Sequence, residues 1–242
     1  MTVLTVQDLR AGYDRDLAIV KGVSFGVPAG QSLSILGPNG AGKSTLIKAM
    51  AGLVPCFGGA VHLTGQDVTG LAPHHLIRRG LGFVPQTENI FTRLTIRENL
   101  QIAAQLLARP RREERIEAMF TMFPDLAARP RSLAGALSGG QRQMLAAARA
   151  LLTEPSVLIL DEPSAGLSPK LVGQVFDTLR RISAAGVTLL LVEQNVRAAL
   201  ALTERTLVLV DGQVAHDGPS APLADGALLG RLFLGHRAEA MP

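Results

Sequence analysis

The sequence predicts an α/β protein whose core is a mostly parallel β-sheet with helices on both faces. Short, nearly continuous apolar runs alternate with helical segments along the chain, which is typical of strands buried on both faces. The opening stretch instead alternates apolar and polar residues and carries turn residues, which predicts antiparallel strands. A helix-rich segment then interrupts the alternation. We therefore expect an α/β core with an N-terminal antiparallel β-region and an inserted helical region.

Two groups of strands follow from these patterns. Antiparallel strands are expected between Val3 and Leu36, with turns at Ala11-Gly12 and at Pro28-Ala29-Gly30. The buried strands of the main sheet are expected at Leu33–Leu36, Leu81–Val84, Val157–Leu160, Val187–Val192 and Thr206–Val210.

Helices are predicted between the strands from their caps and their apolar faces. Thr95-Ile96-Arg97-Glu98 has the pattern of a capping box and opens a helix that can run to Ala108, before Pro110. Ser168-Pro169 has the pattern of an N-cap followed by proline at the first helical position. One apolar face of a second helix is expected from Ile116, Met119, Phe120 and Phe123. The buried stripe of the helix after Ser168 is expected from Leu171, Val175, Leu179 and Ile182.

The chain of 242 residues is expected to form one domain with an insertion, since domains have roughly 100–200 residues. Residues 88–150 are predicted to be the inserted helical subdomain. Residues 1–87 and 151–242 are predicted to form the α/β core. The tail from Pro222 to Pro242 is expected to hold one helix and a frayed end.

Composition excludes several classes of protein. The apolar fraction of 47% is that of a globular protein and excludes a disordered chain. The single cysteine, Cys56, excludes a disulfide framework and a cysteine-based zinc cluster, and fits a reducing compartment. The net charge is only +4, and the densest basic cluster (residues 109–115) is interrupted by Glu113 and Glu114. We interpret that cluster as a solvated helix face and expect no nucleic-acid partner.

No membrane-spanning segment is predicted. A spanning helix needs about 20 mostly apolar residues, whereas Val157–Leu160 and Val187–Val192 are far shorter and Gly22–Gly42 contains polar residues throughout. Residues 1–10 lack the apolar core of a secretory signal. We expect a soluble, cytoplasmic chain that can still dock on a membrane protein.

One loop matches the phosphate-binding pattern G-x-x-x-x-G-K-[ST]. It consists of Gly37, Pro38, Asn39, Gly40, Ala41, Gly42, Lys43 and Ser44. The loop follows an apolar run and opens a plausible helix, which is the context that separates this motif from a chance glycine-rich turn. Its backbone N–H groups and the helix N-terminus are predicted to bind phosphate. Lys43 is predicted to reach the β- and γ-phosphates, and Ser44 to ligate Mg²⁺.

Two carboxylates, Asp161 and Glu162, follow the apolar run Val157–Leu160. An aspartate at the end of a strand beside a phosphate-binding loop can hold Mg²⁺. A second carboxylate just after it can polarise a water for in-line attack on the γ-phosphate. The alternative is a strand end with two solvated acids.

A second candidate anion site precedes another helical stretch, predicted at Arg142 to Leu152. Leu137-Ser138-Gly139-Gly140-Gln141 places serine and glycine backbone groups at a helix N-terminus. One chain does not need two such sites for one γ-phosphate. The simplest geometry is a head-to-tail pair of chains in which this site faces the partner's nucleotide. The alternative is an ordinary helix start that contains glycine.

The three motifs together, in this order and spacing, resemble those of ATP-binding subunits of ABC transporters over nearly the whole chain. The resemblance implies a P-loop NTPase (RecA-like) core, ATP and Mg²⁺ as ligands, and ATP binding by residues 37–45, including Thr45, and by Ser138, Gly139, Gly140 and Gln141. It implies that Tyr13 stacks on adenine and that Gln86, in the Q-loop, contacts the γ-phosphate side of the site, Mg²⁺ and the transmembrane partner. Ser164-Ala165-Gly166-Leu167 resembles the D-loop, which crosses the dimer interface.

Two positions depart from the family pattern. Gln194 stands where the family usually has a switch histidine, and an amide can hydrogen-bond a phosphate oxygen but cannot titrate. We still expect Gln194 to contact the γ-phosphate. Ser168 stands where the D-loop commonly has a nearby aspartate.

Four further segments resemble the LivF-type ATPase of branched-chain amino acid importers. They are Leu191–Asn195, Gln143–Ala146, Ser164–Pro169 and Phe233–Gly235. This resemblance implies a bacterial or archaeal importer, with the chain on the cytoplasmic face of the membrane. The implied partners are a second ATPase subunit, identical or different, two permease chains and, indirectly, a periplasmic binding protein. The alternatives are a soluble ABC ATPase acting on nucleic acid or ribosomes and a regulatory subunit that does not hydrolyse ATP.

Overall fold

The computed structural model describes residues 1–234, which form two β-sheets and surrounding helices. The strands are β1 (Thr2–Ala11), β2 (Val20–Pro28), β3 (Ser32–Leu36), β4 (Cys56–Leu63), β5 (Gln66–Asp67), β6 (Leu81–Val84), β7 (Val157–Asp161), β8 (Thr188–Val192), β9 (Arg205–Val210) and β10 (Gln213–Pro219). The helices are α1 (Lys43–Met50), α2 (Pro73–Arg78), α3 (Ile96–Ala104), α4 (Arg112–Met122), α5 (Pro124–Ala127), α6 (Gly139–Leu151), α7 (Pro169–Ala184), α8 (Val196–Leu202) and α9 (Ala227–Phe233). The predicted α/β fold is confirmed.

The N-terminal sheet has four strands in the order β2-β1-β4-β5. All of its neighbouring strands are antiparallel, as the alternation of the opening stretch predicts. That prediction extends to Leu36 and is wrong for its last segment, because β3 pairs in parallel with β8 and β9 in the other sheet. Every residue of β3 is buried. The hydroxyls of Ser32 and Ser34 are hydrogen-bonded to those of Ser183 and Thr206, so the alternation of serine and apolar residues here does not mark a solvated face.

The main sheet has six strands in the order β10-β9-β3-β8-β7-β6, and only β10 is antiparallel to its neighbour. All five predicted buried runs are strands, with bounds that shift by at most one residue. Along β7, Val157 and Ile159 pack in one core, whereas Leu158 and Leu160 pack in the other. The sheet is therefore covered on both faces, and the carboxyl ends of β3, β7 and β8 lie side by side.

The predicted helices are present, but some of them begin or end at other residues than expected. The capping box at Thr95 and Glu98 is present, but α3 ends at Ala104 rather than Ala108. The N–H groups of Gln105, Leu106 and Leu107 each donate to the carbonyl three residues back. The chain after Ala104 therefore has the tighter hydrogen-bond pattern of a 3₁₀ turn instead of that of an α-helix. In α4 the predicted face is buried, with Phe123 just beyond the helix. Helix α7 begins at Pro169 as predicted, but among the described residues no capping bond to the Ser168 side chain forms.

The arginine cluster at residues 109–115 is only partly the solvated face that the sequence suggests. Arg112 donates to two carbonyls of the segment after α3, at Leu107 and Gln105. Arg115 donates to the carbonyls of Leu151 and Leu152 at the end of α6. These side chains therefore tie α4 to its neighbours.

The tail contains the expected helix, α9. Residues 235–242, which include the expected frayed end and Gly235, lie outside the described residues. In the part of the chain that the structure describes, no helix has the length and apolar character needed to cross a membrane.

Candidate active site

The phosphate-binding loop leads from β3 into α1 and borders a cavity of about 360 Å³. Gly37 has φ +153°, and a Cβ there would lie 2.1 Å from the carbonyl oxygen of Leu209, so a side chain does not fit. Gly42 at the N-cap is in the left-handed region with φ +93°. No described side chain caps α1 and its first turn holds no acidic residue. The N–H groups at this end therefore remain available to an anion.

Lys43 lies across the loop that precedes it. Its Nζ donates to the carbonyl oxygens of Gly37 and Pro38, both at 2.9 Å. Burial lowers the pKa of Lys43, and the negative charges of Glu162 and Asp161 partly offset this. Because both acceptors are neutral, a phosphate oxygen is the stronger partner for this ammonium group.

Ser44 and Asp161 meet at the edge of the cavity, because β3 and β7 both flank β8. Ser44 Oγ donates to Asp161 Oδ1 at 3.1 Å. Burial raises the pKa of Asp161, and the bond from Ser44 only partly compensates. A hydroxyl and an undercompensated carboxylate suit Mg²⁺, which prefers oxygen ligands. The described residues contain no group of three or more His, Cys, Asp or Glu side chains suited to a metal.

Glu162 follows β7 directly and lines the same cavity. It is 7% exposed, and its φ of +47° is uncommon for a residue with a side chain. Two amides bind its carboxylate. Gln86 Nε2 donates to Oε2 at 2.9 Å, and Gln194 Nε2 donates to Oε1 at 2.9 Å and to Oε2 at 3.0 Å.

The structure thus brings Gln86 and Gln194 together, but on Glu162. Gln86, predicted to contact Mg²⁺, bonds to Glu162 instead of to the Ser44–Asp161 pair. Gln194, predicted to contact the γ-phosphate, also donates to Glu162. These bonds leave both predicted contacts untested, and they fix the orientation of the Glu162 carboxylate.

Glu193 is a residue whose importance the sequence analysis missed. It precedes Gln194, is 2% exposed, and accepts hydrogen bonds from Ser164, Gln194 and Asn195. Burial raises the pKa of Glu193, and these bonds partly lower it. The signal in the sequence is a carboxylate directly after the apolar run Leu189–Val192, every residue of which is buried.

The second candidate anion site, Leu137-Ser138-Gly139-Gly140-Gln141, is called the signature segment from here on. It lies at the start of α6, which begins at Gly139 rather than at Arg142. Ser138 Oγ accepts from the N–H of Gln141, and Gln141 Oε1 accepts from the N–H of Ser138, which completes a capping box. Gly139 packs closely on Leu167, because a Cβ there would lie 2.6 Å from Leu167 Cδ2. Ser138 is exposed and is not among the described residues that line the phosphate-loop cavity. Tyr13 is 66% exposed and does not line it either.

A second cavity, of about 410 Å³, lies beside the segment that carries Gln86. Its walls are mostly apolar and include Pro85, Ile102 and Leu106. Arg149 also lines it and stacks over the ring of Phe91, with its Cζ 4.7 Å from the ring centroid. The strand β6 and the helices α3 and α6 thus form a groove next to the catalytic region.

Comparison with known proteins agrees with this geometry. The family model for ABC transporters matches residues 20–165. The chain is 41% identical over 234 residues to the probable branched-chain amino acid transport ATP-binding protein LivF of Archaeoglobus fulgidus, covering 96% of this chain and 99% of that protein. It is 34% identical over 239 residues to the lipopolysaccharide export system ATP-binding protein LptB of Escherichia coli, covering 97% and 98%.

A solved structure shows the same fold. The ADP conformation of MJ1267, an ATP-binding cassette of an ABC transporter, superposes with a TM-score of 0.85 at 27% identity, covering 97% of this chain and 99% of that one. The family resemblance inferred from the three motifs is confirmed. The chain therefore belongs to the ABC transporter family, as an ATP-binding subunit that hydrolyses ATP.

Proposed function

We propose that this chain powers an importer of branched-chain or other hydrophobic amino acids in a bacterium or archaeon. The observation that supports this most is the 41% identity to LivF over 96% of the chain. The segment Leu191–Asn195, with glutamine in place of the switch histidine, gives the same indication. The 34% identity to LptB supports a second candidate, the ATPase of an exporter.

The catalytic site is built from two chains in this proposal. ATP lies between residues 37–45 of one chain and Ser138–Gln141 of its partner, with adenine on the exposed ring of Tyr13. Backbone N–H groups of the loop and the Lys43 ammonium bind the phosphates. Ser44 and Asp161, with Gln86, would hold Mg²⁺, and the bound ion would neutralise charge on the β- and γ-phosphates.

Glu162 orients and deprotonates the attacking water. Its carboxylate is fixed by Gln86 and Gln194, so little reorganisation is needed when water binds. The Gln194 amide carries two N–H donors, so one can remain on Glu162 while the other donates to a γ-phosphate oxygen. The amide remains neutral throughout, because it cannot titrate.

The groove beside Gln86 is the proposed contact with the permease. Residues 88–150 act as the helical signature subdomain on one side of it, and residues 1–87 with the described part of residues 151–242 act as the α/β core. When two ATPase chains close around ATP, the groove moves and carries with it the permease helix that it binds. The chain thus works on the cytoplasmic face of the membrane, with two permeases, a second ATPase subunit and, indirectly, a periplasmic binding protein.

Replacing the proposed base tests the mechanism. Glu162→Gln is expected to bind ATP like the wild type and to lower kcat about 10²- to 10⁴-fold, because general-base catalysis is lost. Glu114→Gln, at an exposed position of α4, is the matched control and should retain full turnover. Wild-type turnover in Glu162→Gln would contradict the role of Glu162.

Affinity purification from gently solubilised membranes of the host tests the transport role. Two multi-span permeases that co-elute with an amino-acid-binding protein would support the importer. Co-purification of a lipopolysaccharide export assembly would support the exporter. Ribosomal or DNA-repair proteins with no membrane partner would contradict both.

A further inference from the structure

Glu193 is the buried carboxylate for which the proposed mechanism has no use. It follows β8 directly, lies between Val192 and Gln194 in the chain, and is 2% exposed. Burying a carboxylate costs free energy unless hydrogen bonds or charges compensate. The burial of Glu193 therefore needs a reason in the surrounding contacts.

Two groups of donors surround this carboxylate. Ser164 contributes its backbone N–H, 2.9 Å from Oε1, and its hydroxyl, 2.8 Å from Oε2. The backbone N–H groups of Gln194 and Asn195 lie 3.2 Å and 3.3 Å from Oε2. One carboxylate thus joins two segments that are 29 residues apart in the chain.

Each of these segments leads to Glu162 by another route. The N–H of Ala165, next to Ser164, donates to the carbonyl oxygen of Glu162 at 3.0 Å. The side chain of Gln194 donates to both oxygens of the Glu162 carboxylate. A displacement of segment 164–165 therefore reaches the backbone of Glu162 through the N–H of Ala165. It reaches the carboxylate of Glu162 through Glu193 and Gln194.

The segment 164–167 also leads to the surface. Ala165 and Gly166 are exposed, whereas Ser164 is buried. Leu167 packs closely on Gly139 at the start of α6. The exposed part of this segment can therefore meet another chain, and its buried end is bonded to Glu193.

We propose that Glu193 is a positioning residue that transmits the position of segment 164–167 to the catalytic carboxylate through Gln194. The proposal rests on the proposed role of Glu162. A partner chain that docks on residues 165–167 sets the position of Ser164. Glu193 passes this position to the backbone of Gln194, and the Gln194 amide then orients Glu162 for attack by water. Turnover thereby depends on the dimer contact.

Glu193→Gln disturbs this link with little change in shape. An amide at this position points its NH₂ group either at the N–H of Ser164 or at the N–H groups of Gln194 and Asn195. In either orientation at least one backbone donor loses its acceptor. We expect kcat of the full-length chain to fall about 2- to 30-fold, as for other residues that couple two sites, while the Kd for ATP changes less than about twofold.

A double-mutant cycle separates this role from a structural one. If Glu193 acts through Gln194, the further loss from Glu193→Gln should be small in the Gln194→Ala background, because the effects of coupled residues do not add. Ser164→Ala removes only the hydroxyl donor, so the cycle of Ser164→Ala with Gln194→Ala can replace the first if Glu193→Gln does not fold. Ser220→Ala removes another buried hydroxyl, bonded to Thr206 at 2.7 Å, and should not change kcat.

Three outcomes would overturn the proposal. They are unchanged kcat in both Glu193→Gln and Ser164→Ala, additive losses with Gln194→Ala, and an equal loss in Ser220→Ala. Glu162→Gln, measured in parallel, keeps this separate from the proposed function. Full turnover in Glu162→Gln refutes the role of Glu162, whereas slow turnover there with additive losses refutes only the link through Glu193.

Discussion

Helices α1 and α6 both begin at glycine-containing segments, and their N-termini are arranged in opposite ways. Helix α1 begins after Gly42 with no capping side chain among the described residues, and charged groups surround it: Lys43, Asp161 and Glu162. Helix α6 begins after Ser138 with a neutral capping box formed by Ser138 and Gln141. No described side chain accepts from the first turn of α1, whereas the capping box of α6 satisfies the N–H groups of Ser138 and Gln141.

This difference is consistent with two proposed anion sites, at the N-termini of α1 and α6, that bind one ATP from two different chains. The end of α1 is positively charged through Lys43, so it can hold the triphosphate within one chain. At the start of α6, the Ser138 hydroxyl accepts from Gln141, which leaves its own hydrogen free to donate outward. The signature segment is therefore ordered before it meets a ligand, and is suited to complete a site that another chain supplies.

Removing the charge at the first end should produce the largest effect. Lys43→Ala deletes a charged donor to the phosphates, which is worth about 1.5–3 kcal/mol and weakens the Kd for ATP about 10- to 150-fold. Isothermal titration of the full-length chain measures this. Arg180→Ala removes an exposed positive charge on α7 and should leave the Kd unchanged. An unaltered Kd in Lys43→Ala would contradict the role of this end.

Removing the cap at the second end should have a smaller effect, and on stability. Ser138→Ala loses the capping oxygen of α6, which costs about 1 kcal/mol, or about 2–4 °C in Tm for a domain of this size. Ser138→Thr keeps an oxygen at the N-cap and should retain most of the stability. Equal Tm values for Ser138→Ala and the wild type would show that the capping box contributes nothing.

The smallest expected effect concerns Asp161, the buried carboxylate that accepts from Ser44 at the start of α1. The folded-state pKa of Asp161 is raised above 3.8 by burial. Its stabilising contribution is therefore present below about pH 3.8 and is lost as the pH rises through the folded-state value. Asp161→Asn does not titrate, so its Tm relative to the wild type should be higher at pH 7 than at pH 4, by less than about 3 °C. Thermal melts without Mg²⁺ and nucleotide measure this, and a difference of opposite sign would contradict the assignment.

Sequence patterns predicted the strands and helices better than the side-chain contacts between them. The strands β7 and β8 are predictable because burial on both faces leaves nearly continuous apolar runs. The phosphate-binding loop is predictable because its glycines are required locally, as at Gly37. The early end of α3 is not, because it depends on a tight turn whose carbonyls at Gln105 and Leu107 bind Arg112.

The carboxylate contacts depend on the order of strands in the sheet. Gln86 and Gln194 reach Glu162 across 76 and 32 residues of chain, since β6, β7 and β8 are neighbours. Local patterns do not contain this order. Local patterns also do not predict the contact of Glu193 with Ser164. Ser164 lies in the loop after β7, whereas Glu193 follows β8.

The most direct test of the account compares the two helix ends in a single measurement. The Kd for ATP is measured for the wild type, Lys43→Ala and Ser138→Ala, at protein concentrations low enough to keep each chain monomeric. Lys43→Ala is expected to lose about 10- to 150-fold in affinity, whereas Ser138→Ala is expected to stay within about twofold of the wild type, because its segment serves the partner's nucleotide. Equal losses in the two variants would contradict the account, since both ends would then bind ATP within one chain.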